Sequence, residues 1–196
     1  MRVLVVNHVS LDGVFQGPGS PDEDTRGGFR HGGWAARAGG DPALAQAMGA
    51  RMGAGHSWLL GPRSYDGILS HWNKAGGPFK DSLNQTAKYV ASADPASDLP
   101  WPNSALLTGD VPAAVSDLRE RPGGALVIMG SGQLVRSLLP RGLIDEILLM
   151  IHPLVLGSGQ RLFGPGDHAH QLELTDSATT AAGVVIATYR PARGPS

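Results

Sequence analysis

Gly61-Pro62-Arg63-Ser64-Tyr65 follows directly on the apolar run Ser57–Leu60 and leads into a helical turn predicted at 66–69. A strand that ends in glycine and opens into a helix exposes backbone N–H groups, and the helix dipole adds partial positive charge at the same point. Arg63, with paired donors in a fixed fork, and the Ser64 hydroxyl are suited to hold a phosphate there. A plain strand-to-helix turn with a solvated arginine has the same spacing. Gly130-Ser131-Gly132 repeats the arrangement between an apolar run at 126–129 and a helical pattern at 133–139. Glycines at a strand's carboxyl end let backbone approach a pyrophosphate closely, and Ser131 adds a donor. The run continues Gln133-Leu134-Val135, without the third glycine of a Rossmann fingerprint and without the lysine of a P-loop.

Ser10-Leu11-Asp12-Gly13 stands where the first strand ends, the place where open α/β sheets bind ligands. Asp12 is the candidate for orienting or protonating a substrate; an Asx-turn with Gly13 in a left-handed conformation accounts for the same residues. Leu156-Gly157-Ser158-Gly159-Gln160-Arg161-Leu162-Phe163 suggests a further loop at the sheet edge, with Phe163 placed either to pack on a flat ring or in the core. Residues 16–40 crowd eight glycines and prolines into their first eighteen positions and read as a long loop. Such a loop in a compact domain is a substrate lid or, more plainly, a solvated connection. Phe29, His31 and Trp34 equip it to close over a pocket, although Trp34 equally suits an anchor to the core.

Several chemistries are excluded. The chain has no cysteine, which removes disulfides, thiolate nucleophiles and cysteine-held metal sites. Its seven histidines show no spacing that sets two on one helix face with a carboxylate, so no metal site is expected. Sixteen basic and seventeen acidic residues, net −1, leave no footprint for a nucleic acid. The N-terminal run turns polar at Asn7-His8, and no apolar stretch approaches membrane-spanning length, so neither a signal peptide nor a membrane is expected. A cytoplasmic location fits these features.

The elements that must position these residues follow from the apolar pattern. Strands are predicted at 3–9, Ser57–Leu60, 87–91, 105–108, 126–129, Glu146–His152, 172–176 and 184–189, and helices at Pro42–Met52, 111–120 and 133–139. Their alternation implies a largely parallel sheet with helices on its faces, and the last two strands, with no helix between them, form an antiparallel edge. One domain over 1–191 with a tail at 192–196 is expected. The apolar run 147–151 fits either the core or the interface of a homodimer.

Taken in order, Ser10-Leu11-Asp12-Gly13, Gly61-Pro62-Arg63-Ser64-Tyr65, Lys88-Tyr89-Val90-Ala91-Ser92, Gly130-Ser131-Gly132 and the 156–163 run resemble the dihydrofolate reductase-like proteins. They are most similar to the reductase domain at the C-terminus of the bifunctional riboflavin-biosynthesis deaminase-reductase. The resemblance implies a three-layer α/β/α fold, its eight-stranded sheet mostly parallel, with NADPH across the strands' carboxyl ends. Carried over, Gly61, Arg63 and Ser64, helped by Ser92, would grip the adenosine 2′-phosphate region, and Gly130, Ser131, Gly132 and Gln133 would wrap the pyrophosphate. Val9 and Ser10 would line the nicotinamide pocket, and Trp34 and Phe163 would meet a small-molecule substrate. Two departures stand out: the helix at Pro42–Met52 has no carboxylate of the kind that contacts the pterin in dihydrofolate reductases proper, and Pro62 replaces a cation beside Arg63. An NADPH-dependent reductase of a small heterocyclic or carbonyl/imine substrate is therefore expected. The alternative is a protein of the same fold that binds a nucleotide or small ligand without turnover.

Overall fold

Residues 3–6 form one apolar run, rich in valine and too continuous for a sheet with a solvated face, and in the computed structural model they lie at the centre of an eight-stranded sheet. The structure describes residues 1–36, 41–164 and 166–192. The strands are β1 (Arg2–Ser10), β2 (Ser57–Leu60), β3 (Lys88–Ala91), β4 (Ser104–Leu107), β5 (Ala125–Met129), β6 (Glu146–His152), β7 (Leu172–Thr179) and β8 (Val185–Pro191), in the spatial order β4-β3-β2-β5-β1-β6-β8-β7. All neighbours from β4 to β6 are parallel, whereas β8 runs antiparallel to both β6 and β7. The expected parallel sheet and antiparallel C-terminal edge are thus both present.

Alternate residues of β1 serve two cores, as the two-residue period of a strand requires. Val3, Val5 and Val9 face α4 (Val111–Arg119) and α5 (Gly132–Leu138), meeting Val115, Leu118, Val135 and Leu138. Leu4 and Val6 face the opposite way and join Leu44 of α1 (Pro42–Met52), Tyr65 and Leu69 of α2 (Pro62–Ala75) and Leu83 of α3 (Gly77–Gln85). Each fully buried aliphatic side chain of this kind contributes about 1.5–3 kcal/mol.

This layering fixes where a crevice must lie. The chain leaves β1 toward α1 on one face and leaves the adjacent β5 toward α5 on the other. Connections that diverge from neighbouring parallel strands open a cleft at their carboxyl ends.

Three expectations need correction. The helical turn at 66–69 is part of the fourteen-residue α2, which starts at Pro62, a residue suited to the first helical position, and runs to the positive-φ Gly76. Helix α3 was absent from the sequence reading because it opens on Gly77-Pro78, which reads as a breaker. The segment beginning at Gln16 is not structureless: it holds a 3-10 turn at Arg26–Gly28 and a core of its own, in which Val14, Phe29, Trp34 and Ala35 are buried. Positions 37–40 of that segment and 193–196 of the tail lie outside the described residues. No helix among the described residues is long and apolar enough to cross a membrane.

Candidate functional site

The register between β2 and β5 pairs Trp58 with Val127, so three residues further on Gly61 and Gly130 leave the sheet side by side. The two glycine turns separated in the sequence therefore form one surface. Ser131 joins them: its hydroxyl accepts the Gly61 N–H at 2.8 Å and donates to Ser64 Oγ at 2.9 Å. Ser131 adopts a left-handed backbone, φ 54°, and follows Gly130 at φ 67°. A non-glycine residue in that region is held against a cost of about 1–2 kcal/mol, offset here by the two bonds of its side chain. A Cβ on Gly130 would stand 2.7 Å from Ser64 Oγ, so the close approach of the turns requires glycine there. Gly132 meets the same condition on its other side, where a Cβ would come within 2.7 Å of the Phe15 ring.

The sequence reading missed the residue that fixes this turn. Asn7 is buried in β1, and its Oδ1 accepts the Gly130 N–H at 2.7 Å across the β1–β5 crevice. A buried polar residue in an otherwise apolar strand was the available signal. One detail of the expectation changes with it: the N–H groups of Gly61 and Gly130 are not free for a ligand, because Ser131 and Asn7 hold them. Donors that remain are the first-turn amides beyond those glycines, which have no intrahelical acceptor. Arg63 lies exposed on the first turn of α2, and Gln133 exposed on the first turn of α5.

Asp12 stands at the carboxyl end of β1 and is fully engaged. Ser10 Oγ donates to its carboxylate at 2.7 Å, the amides of Leu156 and Gly157 at 3.1 and 3.0 Å, and Arg161 Nη2 at 3.2 Å. The Ser10 hydroxyl above all, then those amides and the guanidinium, hold the carboxyl far below the usual carboxylate range against the opposing effect of burial. An acid so held stays ionised and keeps no proton to give. Asp12 therefore ties the 154–161 segment to the end of β1. Ser10 is buried and committed to the same turn, its hydroxyl also accepting the Val14 N–H at 2.9 Å.

Beside this turn lies a group that sequence reasoning did not single out. His8 Nδ1 and His152 Nε2 are 2.9 Å apart, and the Trp34 indole meets the His152 ring edge-on with centroids 5.2 Å apart. Burial, and then the neighbouring His152, push His8 down to about 4, and burial lowers His152 as well. The pair is accordingly neutral near pH 7 and shares one N–H between the two rings. Trp34 is itself fixed by an indole N–H bond of 2.7 Å to the Gln16 carbonyl, which lays its segment over the end of β6.

The remaining sequence candidates fall in different places. The Val9 side chain is buried in the core on the α4/α5 face. Ser92 is buried at the end of β3, where its hydroxyl accepts the Asp94 N–H and bonds Ser97 Oγ at 2.7 Å. Phe163, 38% exposed, lines a cavity on the α5 face with Leu139 and Leu172.

Comparison with known proteins places the chain in a family and agrees with its fold. Residues 2–186 match the family model described as the RibD C-terminal domain. A curated relative, the uncharacterized protein YyaP of Bacillus subtilis (strain 168), is 33% identical over 88 residues, 44% of this chain and 47% of that one. The match thus spans about half the length of that relative. Among solved structures, a Shewanella sp. PV-4 protein attributed to riboflavin biosynthesis superposes with a TM-score of 0.70 at 19% identity, covering 98% of this chain and 100% of that one. A pyrimidine reductase-like protein of Corynebacterium diphtheriae gives 0.64 at 15%, covering 98% and 92%. Dihydrofolate reductase of Enterococcus faecalis, in complex with NADP(H) and RAB-propyl, gives 0.63 at 11%, covering 97% and 96%. At these identities the likeness is one of fold.

Proposed function

The chain belongs to the RibD C-terminal domain family, and from that premise we propose that it is an NADPH-dependent reductase of the riboflavin pyrimidine-reductase kind, acting on a small heterocyclic or carbonyl/imine substrate. The observation that carries the reading is the union of the two glycine turns by Ser131, which sets the first turns of α2 and α5 side by side at the carboxyl ends of β2 and β5. A dinucleotide carries two phosphate groups in tandem and, in NADPH, a third on the adenosine ribose. The start of α5 suits the first two, and Arg63 and Ser64 at the start of the adjacent α2 suit the third.

The residues present fit such a cofactor. Gly130 admits the Ser64 side chain, whose hydroxyl Ser131 holds at the edge of the surface. Arg63 and Ser64 would hold the 2′-phosphate region, and the backbone of Gly132 and Gln133 the pyrophosphate. NADPH, when bound, supplies hydride to the substrate. The chain's own contribution is placement: Asn7 fixes the β5 turn, Asp12 and Arg161 fix the opposite wall, and Trp34 shields the end of β6 from water.

The engagement of Asp12, together with an α1 that carries no carboxylate, favours a second reading: a protein of the same fold that binds the nucleotide without turnover. Thermal unfolding with NADPH, followed by absorbance at the reduced nicotinamide band with pterin, pyrimidine and carbonyl compounds, separates the two. Stabilisation by NADPH with oxidation by one substrate class supports the reductase. Stabilisation without oxidation by any class supports the binding protein, and no stabilisation at millimolar nucleotide contradicts both.

A further inference from the structure

On the α5 face, between the end of that helix and a wall that includes Phe163, His168 and Leu172, lies a cavity of about 390 Å³ that the proposed nucleotide surface does not use. Its size falls in the ordinary range for small-molecule sites, and its lining divides in the way such sites do. Leu139, Phe163 and Leu172 supply an apolar floor, and Arg136, His168 and His170 supply polar groups at its walls. Phe163 is 38% exposed although the preceding Leu162 is buried in the core, so one aromatic surface is presented to the cavity. The lining carries one charge of each sign, Arg136 and Asp167, paired at 3.9 Å. Arg136 Nη1 donates to the carbonyls of Arg161 and Leu162, both at 3.1 Å, which aims the guanidinium while leaving Nη2 and Nε to other acceptors. Asp167, the one carboxylate in the lining, stands 3.9 Å from Arg136 Nε, beyond hydrogen-bond length, and accepts the Gly164 N–H.

We propose that this cavity is a second small-molecule site, separate from the nucleotide surface, which takes a flat apolar molecule bearing one anionic group. The rings of such a ligand lie against Phe163, Leu139 and Leu172, while its carboxylate, sulfonate or phosphate meets Arg136 and the imidazoles. The site is tied to the rest of the molecule by position: Arg136 holds the carbonyl of Arg161, and Arg161 holds Asp12. An occupied cavity therefore stiffens the wall that Asp12 anchors.

The test uses the full chain and two probes, 8-anilinonaphthalene-1-sulfonate and its uncharged analogue N-phenyl-1-naphthylamine, followed by fluorescence, with sedimentation velocity in parallel. The proposal expects saturable 1:1 binding of the sulfonate and binding of the neutral analogue at least tenfold weaker. Phe163→Ala and His170→Glu, both at exposed positions, each weaken the sulfonate several-fold with the melting temperature nearly unchanged. Saturating NADPH leaves the stoichiometry at one. The proposal is overturned if NADPH displaces the probe, if both variants bind it as the wild type does, or if the two probes bind alike. It is also overturned if the chain sediments as a dimer that binds no probe, since a second copy then covers the cavity.

Discussion

Ser131 and Gly61 lie seventy positions apart in the chain and meet through a hydrogen bond of 2.8 Å from the glycine amide to the serine hydroxyl. Three features fix that meeting: the parallel register of β2 on β5, the left-handed backbone of Ser131, and the glycine at 130 that admits Ser64. Ser131→Ala removes the acceptor of a half-buried amide and the donor to Ser64. The expected loss is about 1–3 kcal/mol, read as a lower midpoint in urea with an unchanged slope. NADPH affinity falls as well, whereas Ser131→Asn, which tolerates the left-handed backbone and keeps an acceptor, restores part of the stability. Stability equal to wild type in the alanine variant contradicts the account of this turn.

Gly132 presses against the Phe15 ring, and the two positions should couple. Gly132→Ala forces a Cβ to within 2.7 Å of that ring and is expected to destabilise by roughly 1–3 kcal/mol. Phe15→Leu costs stability by itself but relieves the clash, so the double variant is more stable than the sum of the single changes predicts. Thermal unfolding of the four proteins measures the coupling, and strict additivity argues against the contact.

The His8–His152 pair gives stability a definite dependence on pH. His8 titrates near 4 when folded, below the ordinary histidine value of 6.5, and His152 is displaced the same way. As pH falls below about 6.5 the unfolded chain takes up protons that the folded one refuses, so stability is complete above that value and declines toward pH 4. Asp12 contributes in the same sense at lower pH, its stabilisation being present above the usual carboxylate range and lost as pH falls through and beneath it. Melting temperature is expected to drop by several degrees between pH 7.5 and 5, and by clearly less in His8→Gln. Equal slopes in the two proteins contradict the assignment.

Asp12 acts as an acceptor, and its substitution separates that role from proton donation. Asp12→Asn keeps the shape but loses the charge facing Arg161 and places an NH2 against donors. Faster proteolysis within 154–161 and a lower melting temperature are the expected results. The pH profile of any reductase activity keeps its form, because the group that titrates is not this one. A profile that loses its acidic limb in the variant reinstates Asp12 as the proton source.

Much of this architecture was legible in the sequence because the central strands β1, β2, β5 and β6 are buried on both faces and so appear as largely apolar runs. The two glycine turns were legible for a similar reason, each lying between such a run and a helical pattern. What local pattern does not carry is adjacency. That Gly61 and Gly130 share a surface depends on the order of β2 and β5, and that Asp12 is saturated depends on amides 144 and 145 residues away. Asn7 and the histidine pair were visible as polar residues in apolar strands, yet their roles follow only from the neighbours the sheet provides. Phe163 was read toward the substrate because its motif lies at the sheet edge, but the course of 161–163 beside α5 turns the ring to the cavity there.

The central claim, a surface built for NADPH, is tested most directly by titrating the purified protein with NADPH and with NADH in wild type and Arg63→Ala, following nicotinamide fluorescence. A charge-assisted contact from Arg63 to the 2′-phosphate is worth about 1.5–3 kcal/mol. The variant should therefore bind NADPH tenfold or more weakly while its affinity for NADH, which lacks that phosphate, stays as in wild type. Equal loss for the two nucleotides, no loss for either, or no binding of NADPH to the wild type at millimolar concentration contradicts the assignment.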